Sequence, residues 1–329
     1  MTEIRVSPTT PTAADLEPFR RELTAHCYRM LASGSEAEDA VQETMLRAWQ
    51  SLGRFEGRSS VRTWLYRIAT NVCIDMGRSR QRRARPVDLG PARTPDPVHL
   101  ADVLPDDAWI TPIADAAVID LGADPADVAA ARDTIRLAFV SALQRLPARQ
   151  RAALVLCDVL RWPAAEVADL LDTSTASVTS SLQRARAALA DAPAAGPTTP
   201  LSEDQQLLLE RYVDAFERYD MDALTALLHD DVVQTMPPYA MWLQGRDDLV
   251  AWYVGPGIEC AGSRLLAGAA NGCPAFAQYR IDPDGGYAPW ALQVVELRGD
   301  RIEAIHAFLD TEAFERFGFP MHLGGDAMP

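Results

Sequence analysis

From Asp39 to Arg85 the chain reads DAVQETMLRAWQSLGRFEGRSSVRTWLYRIATNVCIDMGRSRQRRAR, and this stretch restricts the fold more than any other. Val41, Met45, Ala48, Trp49 and Leu52 fall at a spacing that puts one side of a helix inward and leaves Asp39, Glu43 and Arg47 outward. After Gly53 and Gly57, Val61, Leu65, Ile68, Val72 and Met76 form a second stripe, with Arg62, Tyr66, Arg67 and Asn71 on its flank. The spacing predicts two packed helices. The second ends in Arg78, Arg80, Arg82, Arg83 and Arg85 with one nearby acid, Asp75, a density of fixed positive charge suited to a phosphate backbone.

A formal charge of −15 over 329 residues looks wrong for a partner of nucleic acid, but the charge is unevenly distributed. Residues 54 to 85 are strongly basic, whereas Asp88 to Asp133 holds ten Asp against Arg93 and Arg132. The five cysteines, Cys27, Cys73, Cys157, Cys260 and Cys273, are scattered without a C-x-x-C pair, which argues against a zinc site or a disulfide framework. No metal or cofactor is expected. The N-terminus lacks the apolar core of a signal peptide and no run approaches a membrane span, so a cytoplasmic protein without membrane contact is expected.

The motif D-x-x-Q-E-T-x-x-R-A-W, followed by F-x-G-R-S-S-x-x-T-W-L-Y-R-I-A-x-N-x-x-I-D, resembles region 2 of bacterial sigma-70 factors of the extracytoplasmic-function type. An amphipathic hairpin would explain the stripes, but not Phe55, Gly57, Ser60, Trp64, Tyr66 and Asn71 together. Further on, Ile135, Phe139, Ala142, Leu143 and Leu146 form a helical stripe, Pro147 opens a new segment, and a helix-turn-helix reading follows. Its last helix places Val178, Leu182, Ala185 and Leu189 inward. L-P-A-R-Q-R-A-A-L, A-E-V-A-D-L-L-D-T-S and Q-R-A-R-A-A-L resemble region 4 of the same family, in the order expected after region 2.

The resemblance implies roles. Asp39, Gln42 and Glu43 match the face that docks on core RNA polymerase, at the clamp of its largest subunit, and region 4 implies a second contact at the flap. Phe55, Ile68, Asn71 and Asp75 match the −10 pocket, with Asn71 the first choice for reading an extruded base. Arg62, Arg67, Arg78, Arg80, Arg82 and Arg83 are assigned to phosphates, against the plain alternative of a solvated charge run. Trp64 reads as packing. For the −35 element, Ser177, Ser180 and Gln183 would read bases while Arg184 and Arg186 hold phosphate. Thr179, Ser180 and Ser181 stand where many relatives carry arginine, so discrimination there is expected to be weaker. The partners implied are core polymerase and promoter DNA, and the resemblance leaves room for an anti-sigma factor or a small ligand.

The remainder changes character. QQLLLERYVDAFERYD is amphipathic, Asp220 can cap a short helix, GRDDLVAWYV reads as a helix, and HDDVVQTMPP, SRLLAGAA, PAFAQYRI, WALQVVELRG and RIEAIHAFLD read as strands. This α+β order resembles the SnoaL-like polyketide-cyclase family of cone-shaped domains. Tyr239, Trp242, Trp252, Tyr279, Gln293, His306 and Asp310 could line such a cavity, either as a ligand pocket or as core. No acid–base pair emerges, and an enzyme is not expected. The rival reading is an isomerase- or cyclase-type enzyme carried by a generic helical DNA-binding module.

The expected organisation is a disordered N-terminus over 1–14, region 2 over 15–85, an acidic linker over 86–132 and region 4 over 133–190. A linker over 191–203, a SnoaL-like domain over 204–320 and a tail over 321–329 complete it. The acidic linker, with one short helix near Ile113 to Ile119, would stay solvated or, by resemblance, thread polymerase channels. The fold class is thus two all-α modules followed by an α+β cone. An acidic domain on the leash DAPAAGPTTPLS, twelve residues over 191–202, has a high effective concentration near the basic modules, which suggests a fused regulator.

Overall fold

The apolar stripes become three helices packed as a bundle. α1 (Arg20–Leu31) buries Leu23, Cys27 and Met30, α2 (Gly34–Ser51) buries Ala37, Val41 and Ala48, and α3 (Val61–Met76) buries Leu65, Ala69, Val72 and Cys73. The Ser60 hydroxyl accepts from the Thr63 amide at 3.0 Å, which fixes where α3 begins. α2 is capped by Ser33, whose hydroxyl accepts from the Glu36 amide. A larger correction concerns Trp49, expected inward, which is 60% exposed. Ala48 and Thr44 fill that side of α2 instead, and the wide indole is left on the outer face.

The computed structural model describes residues 12–79, 82–190 and 201–324. Arg80 and most of the segments expected to be disordered or linking, at 1–14, 191–203 and 321–329, lie outside the described residues. Ala13 and Ala14, expected to be disordered, form a 3-10 turn with Asp15. Between α3 and the next helical module the chain forms α4 (Asp115–Val118) and α5 (Pro125–Asp133). Then follow α6 (Leu137–Gln144), α7 (Ala148–Leu154) running into a π-helical turn at Val155–Val159, α8 (Ala164–Leu170) and α9 (Thr175–Leu189). The Ser174 hydroxyl caps α9, whose Val178, Leu182 and Ala185 are buried as the spacing required.

The described residues divide into two units. The N-terminal unit holds the chain to Arg82 with residues 117–123 and 138–190, so the two helical modules share one body. Arg151 bolts it together: its buried guanidinium donates to the carbonyls of Leu143 at 2.9 Å, Leu146 at 3.1 Å and Met30. Burial pulls this group down to about 10.

His26 is a second buried polar group, with Nε2 and the Thr70 hydroxyl 2.9 Å apart. Burial, with the charge of Arg29 adding, pushes its pKa from 6.5 to about 3. Below pH 6.5 the unfolded chain therefore binds a proton that the folded chain refuses. The unit is expected to lose about 1.4 kcal/mol per pH unit on acidification until the folded group titrates. Urea unfolding of wild type and His26→Gln at several pH values checks this, since the substitution should flatten the slope.

The C-terminal unit holds residues 83–116, 124–137 and 201–324. α10 (Glu203–Glu217), α11 (Met221–Leu227) and α12 (Arg246–Val254) cover one face of a six-stranded sheet. Its strands are β1 (Leu228–Thr235), β2 (Trp242–Gln244), β3 (Arg264–Ala270), β4 (Cys273–Ile281), β5 (Tyr287–Arg298) and β6 (Arg301–Phe308). The order is β2-β1-β6-β5-β4-β3, with β1 and β6 parallel and the other neighbours antiparallel. Asp220 caps α11 as expected. β2 was not expected, because three residues carry too little alternation to read.

The acidic linker does not stay solvated. Trp109, Ile110 and Ile113 are buried, and single bridges join Val103 to Tyr239 and Ala114 to Ala270. The Trp242 indole donates to the Gly90 carbonyl at 2.9 Å. A Pro- and Asp-rich segment without periodicity can still order when its few apolar side chains find a sheet to cover.

Candidate nucleic-acid interface and linker clamp

α3 and the 3-10 turn that follows it, Gly77–Ser79, present Arg67, Asn71, Asp75 and Arg78 at intervals of four, four and three residues, all exposed, with Ile68 beside them half-buried. Phe55 packs on Trp64 at the head of this row, ring centroids 5.0 Å apart. Asp75 and Arg78 pair at 3.2 Å, and Asn71 stands between Arg67 and that pair with its side chain toward solvent. One face of α3 thus gathers an aromatic pair, an amide and a row of arginines.

Other predicted contacts are differently placed. Arg62 is held by the Glu22 carboxylate at 2.7 Å and lies over the rings of Tyr66 and Trp162. Arg67 donates to the Asp169 carbonyl at 2.7 Å, and Thr63 donates to Glu166 at 3.0 Å, so α8 meets the first two turns of α3. Arg82 is exposed. Arg83 departs from the phosphate role: it is 6% exposed and donates to the Trp109 carbonyl at 2.8 Å, because the linker folds over it.

On α2, Asp39 and Gln42 are exposed and Glu43 is half-buried, with Glu43 and Arg47 paired at 2.6 Å. Leu46, 47% exposed, and Trp49 continue this row, and sequence reasoning missed both. The interval of seven from Asp39 to Leu46 and of three to Trp49 was the available signal. An exposed Trp beside an exposed Leu is an apolar anchor of the kind found at protein interfaces.

On α9, Ser177, Gln183 and Arg184 face outward and Ser180 is half-buried, with Arg184 donating to the Ser180 hydroxyl at 2.6 Å. Arg186 is engaged by a two-point pair with Asp158, at 2.9 and 2.7 Å.

The seven candidate pocket residues are not brought together. Gln293 lies on the helix-covered face, where Tyr212 donates to it at 2.7 Å, it donates to Gln278 at 2.8 Å, and Gln278 donates to Ser263 at 3.0 Å. Trp252 packs in the same core. His306 pairs across strands with Val294, so it occupies the opposite face, bonded to Thr235 at 2.9 Å. Tyr279 is on that opposite face too, against Phe314. Tyr239 and Trp242 meet the linker, and Asp310 pairs with Arg316 at 2.7 Å. The buried row of phenol, amides and hydroxyl contains no group that exchanges a proton near neutrality. Burial lowers the His306 pKa, with Glu296 opposing, and raises that of Tyr212.

What the C-terminal unit does grip is the linker. The β3–β4 turn, Asn271-Gly272, takes positive φ at both residues, 55° and 72°. The Asn271 side chain accepts from the Ile113 amide at 3.1 Å and donates to the Ile135 carbonyl at 2.7 Å, while the Gly272 amide donates to Asp115 at 2.8 Å. One two-residue turn therefore holds the middle of the linker, at Ile113 and Asp115, and the residues just past its end, at Ile135.

Family models match in the order already read: sigma-70 region 2 over residues 16–83, sigma-70 region 4 over 136–189 and a SnoaL-like domain over 209–305. The class so defined is the sigma-70 factors. The ECF RNA polymerase sigma factor SigG of Mycobacterium tuberculosis is 45% identical over 319 residues, covering 94% of this chain and 84% of that protein. SigJ of the same species is 28% identical and covers 92% of each. The crystal structure of SigJ superposes with a TM-score of 0.58 at 23% identity, over 94% of this chain and all of that one, and so shares the fold. The chain belongs to the extracytoplasmic-function sigma factors of bacterial RNA polymerase and carries a SnoaL-like domain. It is a transcription factor, not an enzyme. Among the described residues no helix is long and apolar enough to cross a membrane.

Proposed function

We propose that the exposed row on α3 reads the −10 element, with Asn71 bonding the edge of an extruded base, Phe55 and Ile68 packing against it, and Arg67, Arg78 and Arg82 on phosphates. Arg67 serves once α8 has moved off it. The α9 residues Ser177, Ser180, Gln183 and Arg184 contact the −35 element, and α2 docks on the polymerase clamp through Asp39, Gln42, Glu43, Leu46 and Trp49. Work of this kind places the protein in the cytoplasm with polymerase. The observation that supports the −10 reading best is the solvent-facing amide of Asn71 set between Arg67 and the Asp75–Arg78 pair.

Asn71→Ala should lower open-complex formation by about tenfold, the worth of a specific base contact, with affinity for core polymerase unchanged. Permanganate reactivity of the melted strand measures it. Wild-type melting by the variant would remove Asn71 from the pocket.

We further propose that the SnoaL-like domain regulates initiation in cis by holding the segment between regions 2 and 4 through the Asn271-Gly272 turn. While held there, that segment is withheld from the polymerase channels it threads in relatives. What supports this is the pair of Asn271 bonds to Ile113 and Ile135.

A further inference from the structure

None of the seven residues placed above lines a cleft of about 470 Å³ at the mouth between α10 and the sheet. Leu209 and Val213 of α10 form one wall and Phe276 and Val295 the other, while Asp115 and Arg132 of the linker close one end. A space of this size, with apolar walls and polar groups from Asp115, Arg132, Gln205 and Gln206, has the build of a small-molecule site.

The polar end specifies the head group. Asp115 is 2% exposed; its Oδ1 accepts from the Gly272 amide, and its Oδ2 has no hydrogen-bond partner. Arg132 Nε, also buried and without a hydrogen bond, stands 3.7 Å from that oxygen, close enough for an ion pair but beyond hydrogen-bond range. A buried acceptor and a buried donor side by side each leave their desolvation uncompensated. A group that accepts from Arg132 while donating to Asp115 satisfies both. Hydroxyls and primary amides do so; a carboxylate can only accept and an ammonium can only donate. Glu210 and Arg136 on the rim add one charge of each sign, so the lining favours neither anion nor cation.

We propose that this cleft binds a small neutral amphiphile, its apolar body between α10 and the sheet and a hydroxyl or carboxamide head on Asp115 and Arg132. Both head-group partners belong to the linker and Gly272 to the domain, so the ligand fastens one to the other. That consequence rests on the cis-regulation reading; the binding does not.

Calorimetric titration of the full chain with 4-phenylbutanamide and 4-phenylbutanol tests it, with 4-phenylbutanoate and 4-phenylbutylammonium as charged counterparts. The neutral probes should bind at least about tenfold more tightly than either charged one. Val213→Trp, which fills the cleft from a half-buried helix position, should abolish binding, and Asp115→Asn should erase the preference for neutral heads. Absence of heat with the neutral probes, meaning a cleft that holds water only, would overturn the proposal. So would equal binding of charged probes, or binding that survives Val213→Trp. Hydrogen exchange at the Ile113 amide reads the consequence separately: it should slow on binding, and an unchanged rate with intact binding would count against the cis-regulation reading while leaving the site.

Discussion

Gly272→Ala is expected to destabilise the C-terminal unit by about 2–4 kcal/mol, where the same change at Gly299 costs about 1–2 kcal/mol. Both residues take left-handed backbone, φ +72° and +62°. A Cβ at Gly299 meets nothing within 4 Å, whereas one at Gly272 would stand 2.9 Å from both Cβ and the carbonyl oxygen of Arg132. The main chain of α5 cannot swing aside as a flexible side chain could, so the added methyl must push the linker off the hairpin. Denaturant unfolding of the two variants isolates the close approach from the backbone strain they share. Hydrogen exchange should show the Ile113 and Gly272 amides losing protection in the first variant and keeping it in the second. Equal destabilisation would mean that the linker does not rest on this turn.

Arg151→Met should cost the N-terminal unit about 3 kcal/mol or more. Methionine matches much of the buried arginine stem and offers no donor, so the carbonyls of Leu143, Leu146 and Met30 lose their shared partner. The Leu143 carbonyl keeps its bond from the Leu146 amide, but the Leu146 and Met30 carbonyls lose a charged donor, and an acceptor so deprived costs about 1–3 kcal/mol before relaxation. Arg151→Lys is the informative companion: one ammonium cannot span three acceptors in the plane of a guanidinium, so only part of the loss should return. Thermal unfolding of both variants checks the order wild type, lysine, methionine. A methionine variant as stable as wild type would contradict the role given to this residue.

Much of the helical half was legible because its information is local. The burial of Leu65 and Val72 on α3, that of Val178, Leu182 and Ala185 on α9, and the shared exposed face of Arg67, Asn71 and Asp75 follow from residues three or four apart, whereas Tyr66, expected on the flank of α3, is fully buried. Trp49 misled because a large apolar side chain at an inward-looking interval is normally core, and only the neighbouring Ala48 and Thr44 show that this surface was already filled. The linker was illegible for a different reason: part of its order comes from Ile113 and Ala114 meeting the β3–β4 hairpin more than a hundred residues later, and no local pattern encodes that meeting. The pocket failed on parity. Gln293 and His306 suit a cavity by type, but the register pairs His306 with Val294, which puts it on the opposite face from Gln293. Cross-strand register depends on bulges such as the shift between Glu296 and Leu297 and could not be read from either strand alone.

The most direct measurement is open-complex formation by core RNA polymerase with the full chain and with Gly272→Val, on one promoter selected by run-off transcription from genomic DNA. A linker freed from the Asn271-Gly272 turn should raise the melted fraction by about fivefold or more, the scale of an ordinary coupling between sites. Identical melting by the two proteins at every salt concentration, with the linker amides of the variant shown to be unprotected, would contradict control of initiation through this clamp.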